Sequence, residues 1–167
     1  MTDIYPVPLR DDIPGRLLIV ARPRGNDWLE YDVEQWKLAG ITTVVSLLTP
    51  PENSDLNLAN ESAAVRAAGI QFVSFPISDR GVPIVLEPFE QTVLDLGTRL
   101  ANGETIALHC RMSIGRAPTM AAAVMTVAGY DPESAFQVLS QARGVPVPET
   151  IGQRQWIEAF HQKRLVK

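Results

Sequence analysis

Apolar residues fall along this chain in short runs separated by polar turns, and the period of the runs alternates. Arg16–Ala21, Thr42–Leu48, Gln71–Phe75 and Thr105–Leu108 are short and rich in aliphatic and β-branched residues. Such runs predict strands of a parallel sheet buried on both faces. Between them the period becomes helical. Phe89, Val93, Leu96 and Leu100 recur at spacings of 4, 3 and 4, after which Asn102-Gly103 signals a turn. Residues 117–128 are apolar on nearly every side, which predicts a buried helix with Pro118 in its first turn. Asp131-Pro132 reads as an N-cap with proline at the first helical position, after which Ala135, Val138, Leu139 and Ala142 face inward. Trp156, Ile157 and Phe160 form the apolar stripe of a last helix. Nearer the N-terminus, Asp32-Val33-Glu34-Gln35 resembles a capping signal for a helix that ends at Gly40. Pro50–Asn60 reads as a polar loop, and Glu61–Ala68 as a short helix stopped by Gly69. Trp28, Trp36 and Trp156 are assigned to packing.

Strands alternating with helices imply an α/β fold: a mostly parallel central sheet of four or five strands flanked by helices on both faces. With 167 residues, a single domain over 1–167 with a full core is expected. One cysteine leaves no intramolecular disulfide framework and fits a reducing, cytoplasmic compartment. No apolar stretch is long enough to span a membrane, and no secretory signal is visible. Fifteen Lys+Arg against nineteen Asp+Glu give a net charge of −4, which argues against a nucleic-acid-binding surface. No Cys/His cluster suggests a metal. No cofactor is expected, and the expected state is a monomer.

The chemistry concentrates in residues 109–116, His-Cys-Arg-Met-Ser-Ile-Gly-Arg. Cys110 ends a strand-like run, and Arg116, six residues on, opens a helix-like one. The residues between form a strand-to-helix loop whose N–H groups surround a helix N-terminus, where anions bind well. The positive helix end, the loop amides and Arg116 all favour a thiolate at Cys110. Arg116 supplies a planar fork able to grip two phosphate oxygens. A covalent phosphocysteine would divide hydrolysis of a phosphate ester into two easier steps. The leaving oxygen then needs an acid, and Asp79 is the candidate. It lies in Phe75-Pro76-Ile77-Ser78-Asp79-Arg80-Gly81-Val82-Pro83, after a strand, in a proline-bounded loop suited to closing over a substrate. Burial beneath that loop would favour the protonated form an acid needs.

The His-Cys, five residues, Arg pattern resembles the signature of the cysteine-dependent tyrosine and dual-specificity protein phosphatases. The Pro-Ile-x-Asp-x-x-x-Pro segment is similar to the acid loop of the dual-specificity branch. Glu149–Trp156 lines up with that family's glutamine loop. Residues from about 16 to 164 fit the compact version of the fold. The resemblance implies that Cys110 is the nucleophile and that Asp79 is first acid and then base. It implies phosphate binding by Arg116 and by the amides of Arg111, Met112, Ser113, Ile114, Gly115 and Arg116. Gln153 takes the position that orients the hydrolytic water, and His109 becomes a structural support of the loop. Asp79 as a turn former and Gln153 as a surface helix residue are the plain alternatives.

Two positions depart from the family pattern. Its members usually carry Ser or Thr after the signature arginine, where this chain has Ala117. Many also have glycine at the position of Ser113, because the loop often needs a positive φ there. The Ser113 hydroxyl is expected to replace part of the missing donor, and the second step to be slower. Substrates follow in order of preference. Protein phosphotyrosine comes first, with phosphoserine and phosphothreonine admitted. A small anionic phosphate such as an inositol phosphate, nucleotide or sugar phosphate comes second, on the positive charge of Arg80 and Arg111. A phosphate-binding module with little turnover comes third. Arg22 and Arg24 follow a strand and are expected at the same end of the sheet.

Overall fold

A computed structural model describes residues 3–166. Its strands are β1 (Ile4–Pro6), β2 (Arg16–Val20), β3 (Thr43–Ser46), β4 (Gln71–Ser74) and β5 (Thr105–His109). They form one sheet in the order β1-β2-β5-β3-β4. β1 is antiparallel to β2, and the other pairings are parallel. Its helices are α1 (Leu29–Leu38), α2 (Pro50–Asp55), α3 (Glu61–Ala67), α4 (Leu86–Ala101), α5 (Arg116–Val127), α6 (Pro132–Arg143) and α7 (Ile151–Leu165).

Strand side chains alternate between faces, and the core divides accordingly. Leu17, Ile19, Val45, Ile106 and Leu108 pack with Phe89, Val93 and Leu96 of α4, the length of α5, Phe136 of α6 and Phe160 of α7. Their neighbours Leu18, Val20, Val44 and Ala107 pack on the other face with Val33 and Trp36 of α1 and Val65 of α3. Helices thus cover both faces, as the alternating elements imply. Because β5 sits at the centre of the sheet, the loop after it opens at the middle of the parallel strands' carboxyl ends, where open α/β sheets bind ligands.

Three expectations need correction. α1 begins at Leu29, before the capping signal assigned to Asp32. Asp32 is fully buried, and its carboxylate accepts from the backbone N–H and the guanidinium of Arg24. Pro50–Asn60 is not all loop: α2 is capped by Thr49, whose hydroxyl accepts from Glu52 N–H while Glu52 accepts from Thr49 N–H. That reciprocal cap and the prolines at the first helical positions outweigh the polar composition. Trp28 is 54% exposed, with the Arg24 guanidinium over its ring at 4.2 Å, whereas Trp36 is fully buried.

Candidate active site

Residues 110–115 join β5 to α5, and Cys110, the first of them, is buried. Ser113 has φ +58°, the left-handed conformation the loop requires. Its hydroxyl compensates for that strain by donating to Val20 O at 2.6 Å and accepting from Cys110 N–H at 3.5 Å. The Ser113 hydroxyl is therefore committed to the neighbouring strand, not to the sulfur. The donor to Cys110 Sγ is the backbone N–H of Ala117, at 3.4 Å.

Two arginines outside the signature hold the loop. Arg22 NH1 donates to Arg111 O at 2.5 Å. Arg143 donates through Nε to Ser113 O and through NH2 to Met112 O, each at 3.2 Å. Three successive carbonyls are thus tied outward. In a trans peptide the next N–H points the opposite way, so the amides of Met112, Ser113 and Ile114 face the inside of the loop. Arg22 does reach this end of the sheet, as its place after a strand suggests. Arg143 carries no sequence signal for this role beyond being the last basic residue of a helix.

Arg116 is buried to 1% exposure, and four carbonyl or carboxylate groups fix its guanidinium. NH1 and NH2 donate to Glu52 Oε1 and Oε2 at 2.7 and 2.8 Å, a bidentate pair. NH1 also donates to Ile77 O at 2.7 Å and to Leu47 O at 3.4 Å. NH2 reaches Asp79 Oδ1 at 3.2 Å. Among the described residues, the Nε–NH2 edge is the one left to an anion, and Asp79 occupies part of it. Burial pushes the Glu52 carboxyl up, but the hydrogen bonds from Arg116 and Thr49 and the guanidinium's charge outweigh it and hold it at about 2. Burial would push Arg116 down, but Glu52 and the charges of Cys110 and Asp79 raise it instead.

Asp79 lies where the acid loop was expected, but its side chain is 53% exposed and paired with Arg116, not buried beneath the loop. Arg80 has φ +61°, and its guanidinium pairs with Glu149 Oε2 at 3.3 Å. Gln153 is fully buried, which removes its reading as a surface helix residue. Its Oε1 accepts from Thr150 N–H at 3.2 Å, and its Nε2 donates to Gly81 O at 3.1 Å. The same amide lies over Gly115: a Cβ there would stand 3.0 Å from Gln153 Nε2 and 2.9 Å from Glu149 Cγ. Gln153 thus links the start of α7, the acid loop and the phosphate loop. His109 is fully buried and bonds through Nε2 to Glu61 Oε1, with Trp36 stacked on its ring. Glu52 and Glu61, the carboxylates behind Arg116 and His109, escaped the sequence reading. Thr49-Pro50-Pro51-Glu52 is a legible capping signal that could have exposed the first.

Residues 12–162 match the family model described as "PTP-SAK: Swiss Army Knife protein, DSP-PTPase phosphatase domain". The chain is 28% identical over 137 residues to cyclin-dependent kinase inhibitor 3 of Rattus norvegicus, covering 81% of this chain and 64% of that protein. It is 29% identical over 130 residues to protein tyrosine phosphatase type IVA 3 of Bos taurus, covering 77% and 69%. The chain therefore spans slightly less than two thirds of the rat protein. The fold matches that of kinase associated phosphatase with its catalytic-site cysteine changed to serine: TM-score 0.82, 24% identity, 91% and 89% of the two chains covered. It also matches PTPMT1 solved in complex with PI(5)P: TM-score 0.75, 22% identity, 90% and 92% covered. With the phosphate loop, the arginine and the family model in agreement over most of its length, this chain belongs to the dual-specificity-like phosphatase domains of the cysteine-dependent protein tyrosine phosphatase superfamily.

Proposed function

We propose that this chain is a single-domain phosphatase that hydrolyses phosphomonoesters through a phosphocysteine on Cys110. The observation that carries the reading is the cradle around that sulfur. Carbonyls 111–113 are tied outward by Arg22 and Arg143, and Arg116 keeps one edge for an anion. A phosphate seated there takes the inward amides and the Nε–NH2 edge of Arg116, displacing the Asp79 carboxylate from that edge. The thiolate forms the S–P bond as the P–O ester bond breaks, and Asp79, then protonated, gives its proton to the leaving oxygen. A water next attacks phosphorus, Asp79 takes its proton, and the S–P bond breaks to release phosphate and the thiolate. Gln153 has a second amide N–H over Gly115 with which to orient that water. The Ala117 N–H supports the leaving sulfur where the family usually adds a hydroxyl, so the second step is slow.

The preferred substrate is protein phosphotyrosine, with phosphoserine and phosphothreonine admitted, and the relatives named as protein tyrosine phosphatases support it. A small polyanionic phosphate is the second reading, favoured by the arginines at the rim of the loop. The enzyme acts as a monomer in the cytoplasm, where a lone thiol stays reduced. Turnover of p-nitrophenyl phosphate, phosphotyrosine peptides and small phosphates tests the reading. Loss of all three in Cys110→Ser supports it, and persistence refutes it.

A further inference from the structure

The helix α1 carries two apolar stripes. Leu29, Val33 and Trp36, at spacings of 4 and 3, are buried in the core. Trp28, Tyr31, Gln35 and Leu38 recur at spacings of 3, 4 and 3 on another side of the helix. Trp28, Tyr31 and Leu38 are 54%, 48% and 72% exposed. Large apolar side chains gathered on a polar-rimmed surface mark an interaction site. The Trp28 and Tyr31 rings meet edge to face, 6.1 Å between centroids. The Arg24 guanidinium already lies over Trp28, with its charge matched by buried Asp32.

Beside this stripe stand three exposed carboxylates, Asp27, Glu30 and Glu34. Among the described residues none of the three takes part in an ion pair. Glu30 suits the first turn of α1, but Glu34 lies beyond the reach of the helix end's charge. Glu30 and Glu34, four residues apart, repel each other. Lys37 is the basic residue of α1. A groove of about 550 Å³ runs between this acidic row and α3. Asn26, Asp27 and Glu30 wall one side of it, and Ala63, Ala64 and Ala67 wall the other. Its lining includes no basic residue. Arg66 of α3 turns instead to the carbonyl and ring of Phe72. A lysine or arginine laid in this groove places its aliphatic stem on the alanines and its charge at Asp27 and Glu30. The surface also continues from the catalytic loop: Arg22 bonds to Arg111 O, and Asn26 follows four residues later.

We propose that this face of α1 docks a basic, amphipathic segment of the phosphoprotein substrate. Its lysine or arginine heads meet Asp27, Glu30 and Glu34, and its apolar side chains cover Trp28, Tyr31 and Leu38. The proposal rests on the phosphatase reading and adds to it a recognition surface outside the catalytic loop.

Two measurements test it. In the first, the isotope-labelled protein is titrated with an amphipathic lysine–leucine peptide and followed by NMR. Amide shifts should fall on residues 26–38 and 60–67, and a glutamate–leucine peptide should leave them unmoved. Reversing both exposed charges, Glu30→Lys with Glu34→Lys, should weaken binding about tenfold, and added salt should weaken it in the wild type. Trp28→Ala should weaken it about two- to fivefold, which gives an independent reading if the reversed helix folds poorly. In the second, the lysine–leucine segment is joined by a flexible linker to a phosphotyrosine peptide. Its KM should fall about tenfold below that of the bare peptide with kcat unchanged. The charge-reversed variant should lose that difference while turning over p-nitrophenyl phosphate as the wild type does. Shifts that fall elsewhere, or equal binding by the charge-reversed variant, overturn the docking face. A dimer of the free protein, dissolved by the charge reversal in sedimentation, would assign the face to a second copy and also overturn it. If no phosphate ester is turned over, the phosphatase reading fails, and the titration alone decides the docking face.

Discussion

Glu52→Gln removes the charge that holds Arg116 in place while keeping the side chain's shape. The new amide still accepts from NH1 but turns an N–H₂ toward NH2, so one of two bonds becomes a donor–donor contact and a buried guanidinium loses its counter-charge. The Glu52 carboxyl is lowered from 4.5 to about 2. At roughly 1.4 kcal/mol per pKa unit, that is about 3 kcal/mol of stability. Because the folded-state value is depressed, this contribution is complete above about pH 4.5 and is lost as pH falls toward 2. Near neutral pH the variant should melt about 6–12 °C below the wild type, from the usual shift per kcal/mol for a chain of this size. The gap should narrow as pH falls below 5, because the wild type loses what the variant already lacks. A guanidinium displaced by about an ångström should lower kcat/KM toward p-nitrophenyl phosphate by about tenfold to a hundredfold. Thermal melts across that pH range, with steady-state kinetics at neutral pH, make the test. Equal melting temperatures at neutral pH, or a gap that does not change with pH, would refute the clamp.

Three further outcomes follow from the same geometry. Arg143→Ala frees the carbonyls of Met112 and Ser113 and should lower kcat/KM by about tenfold; circular dichroism should show the fold retained, because α6 keeps its buried face. Gly115→Ala places a methyl group against Glu149 and Gln153, so steady-state kinetics should show activity nearly lost, and a variant as active as the wild type would contradict the packing. Ala117→Ser adds a hydroxyl beside the Cys110 sulfur and should speed phosphoenzyme breakdown by about tenfold to a hundredfold in single-turnover kinetics, since hydrogen bonds to charged groups contribute about 1.5–3 kcal/mol and about 1.4 kcal/mol is tenfold in rate. An unchanged rate would mean that the backbone N–H alone suffices.

The strands and the signature loop were legible because both are local patterns. Thr43–Ser46 and Thr105–His109 are apolar, bounded runs, and Cys110 and Arg116 are fixed by spacing alone. β1 is not legible in the pattern: it is three residues long, ends in proline and pairs on one side with β2. The supports of the site were less legible because they are long-range. Glu52 lies 64 residues from Arg116, and Arg143 lies 30 residues from Ser113. Nothing in the local pattern of either residue announces such a partner. Asp32 misled for the opposite reason: it suits a helix cap, but a buried carboxylate gains more from the Arg24 guanidinium than from a capping bond. Ser113 shows the limit of pattern. Its positive φ was readable from the usual glycine, whereas the direction of its hydroxyl depended on Val20, 93 residues away.

The central claim is that phosphate passes through the sulfur of Cys110. Rapid acid quenching during turnover of p-nitrophenyl phosphate, followed by intact-mass and peptide mass spectrometry, examines it directly. One added phosphoryl group should appear on the peptide containing Cys110, accompanied by a burst of nitrophenol before slow turnover, and both should vanish in Cys110→Ser. Turnover without a phosphorylated Cys110 peptide, or turnover that survives Cys110→Ser, would contradict the mechanism.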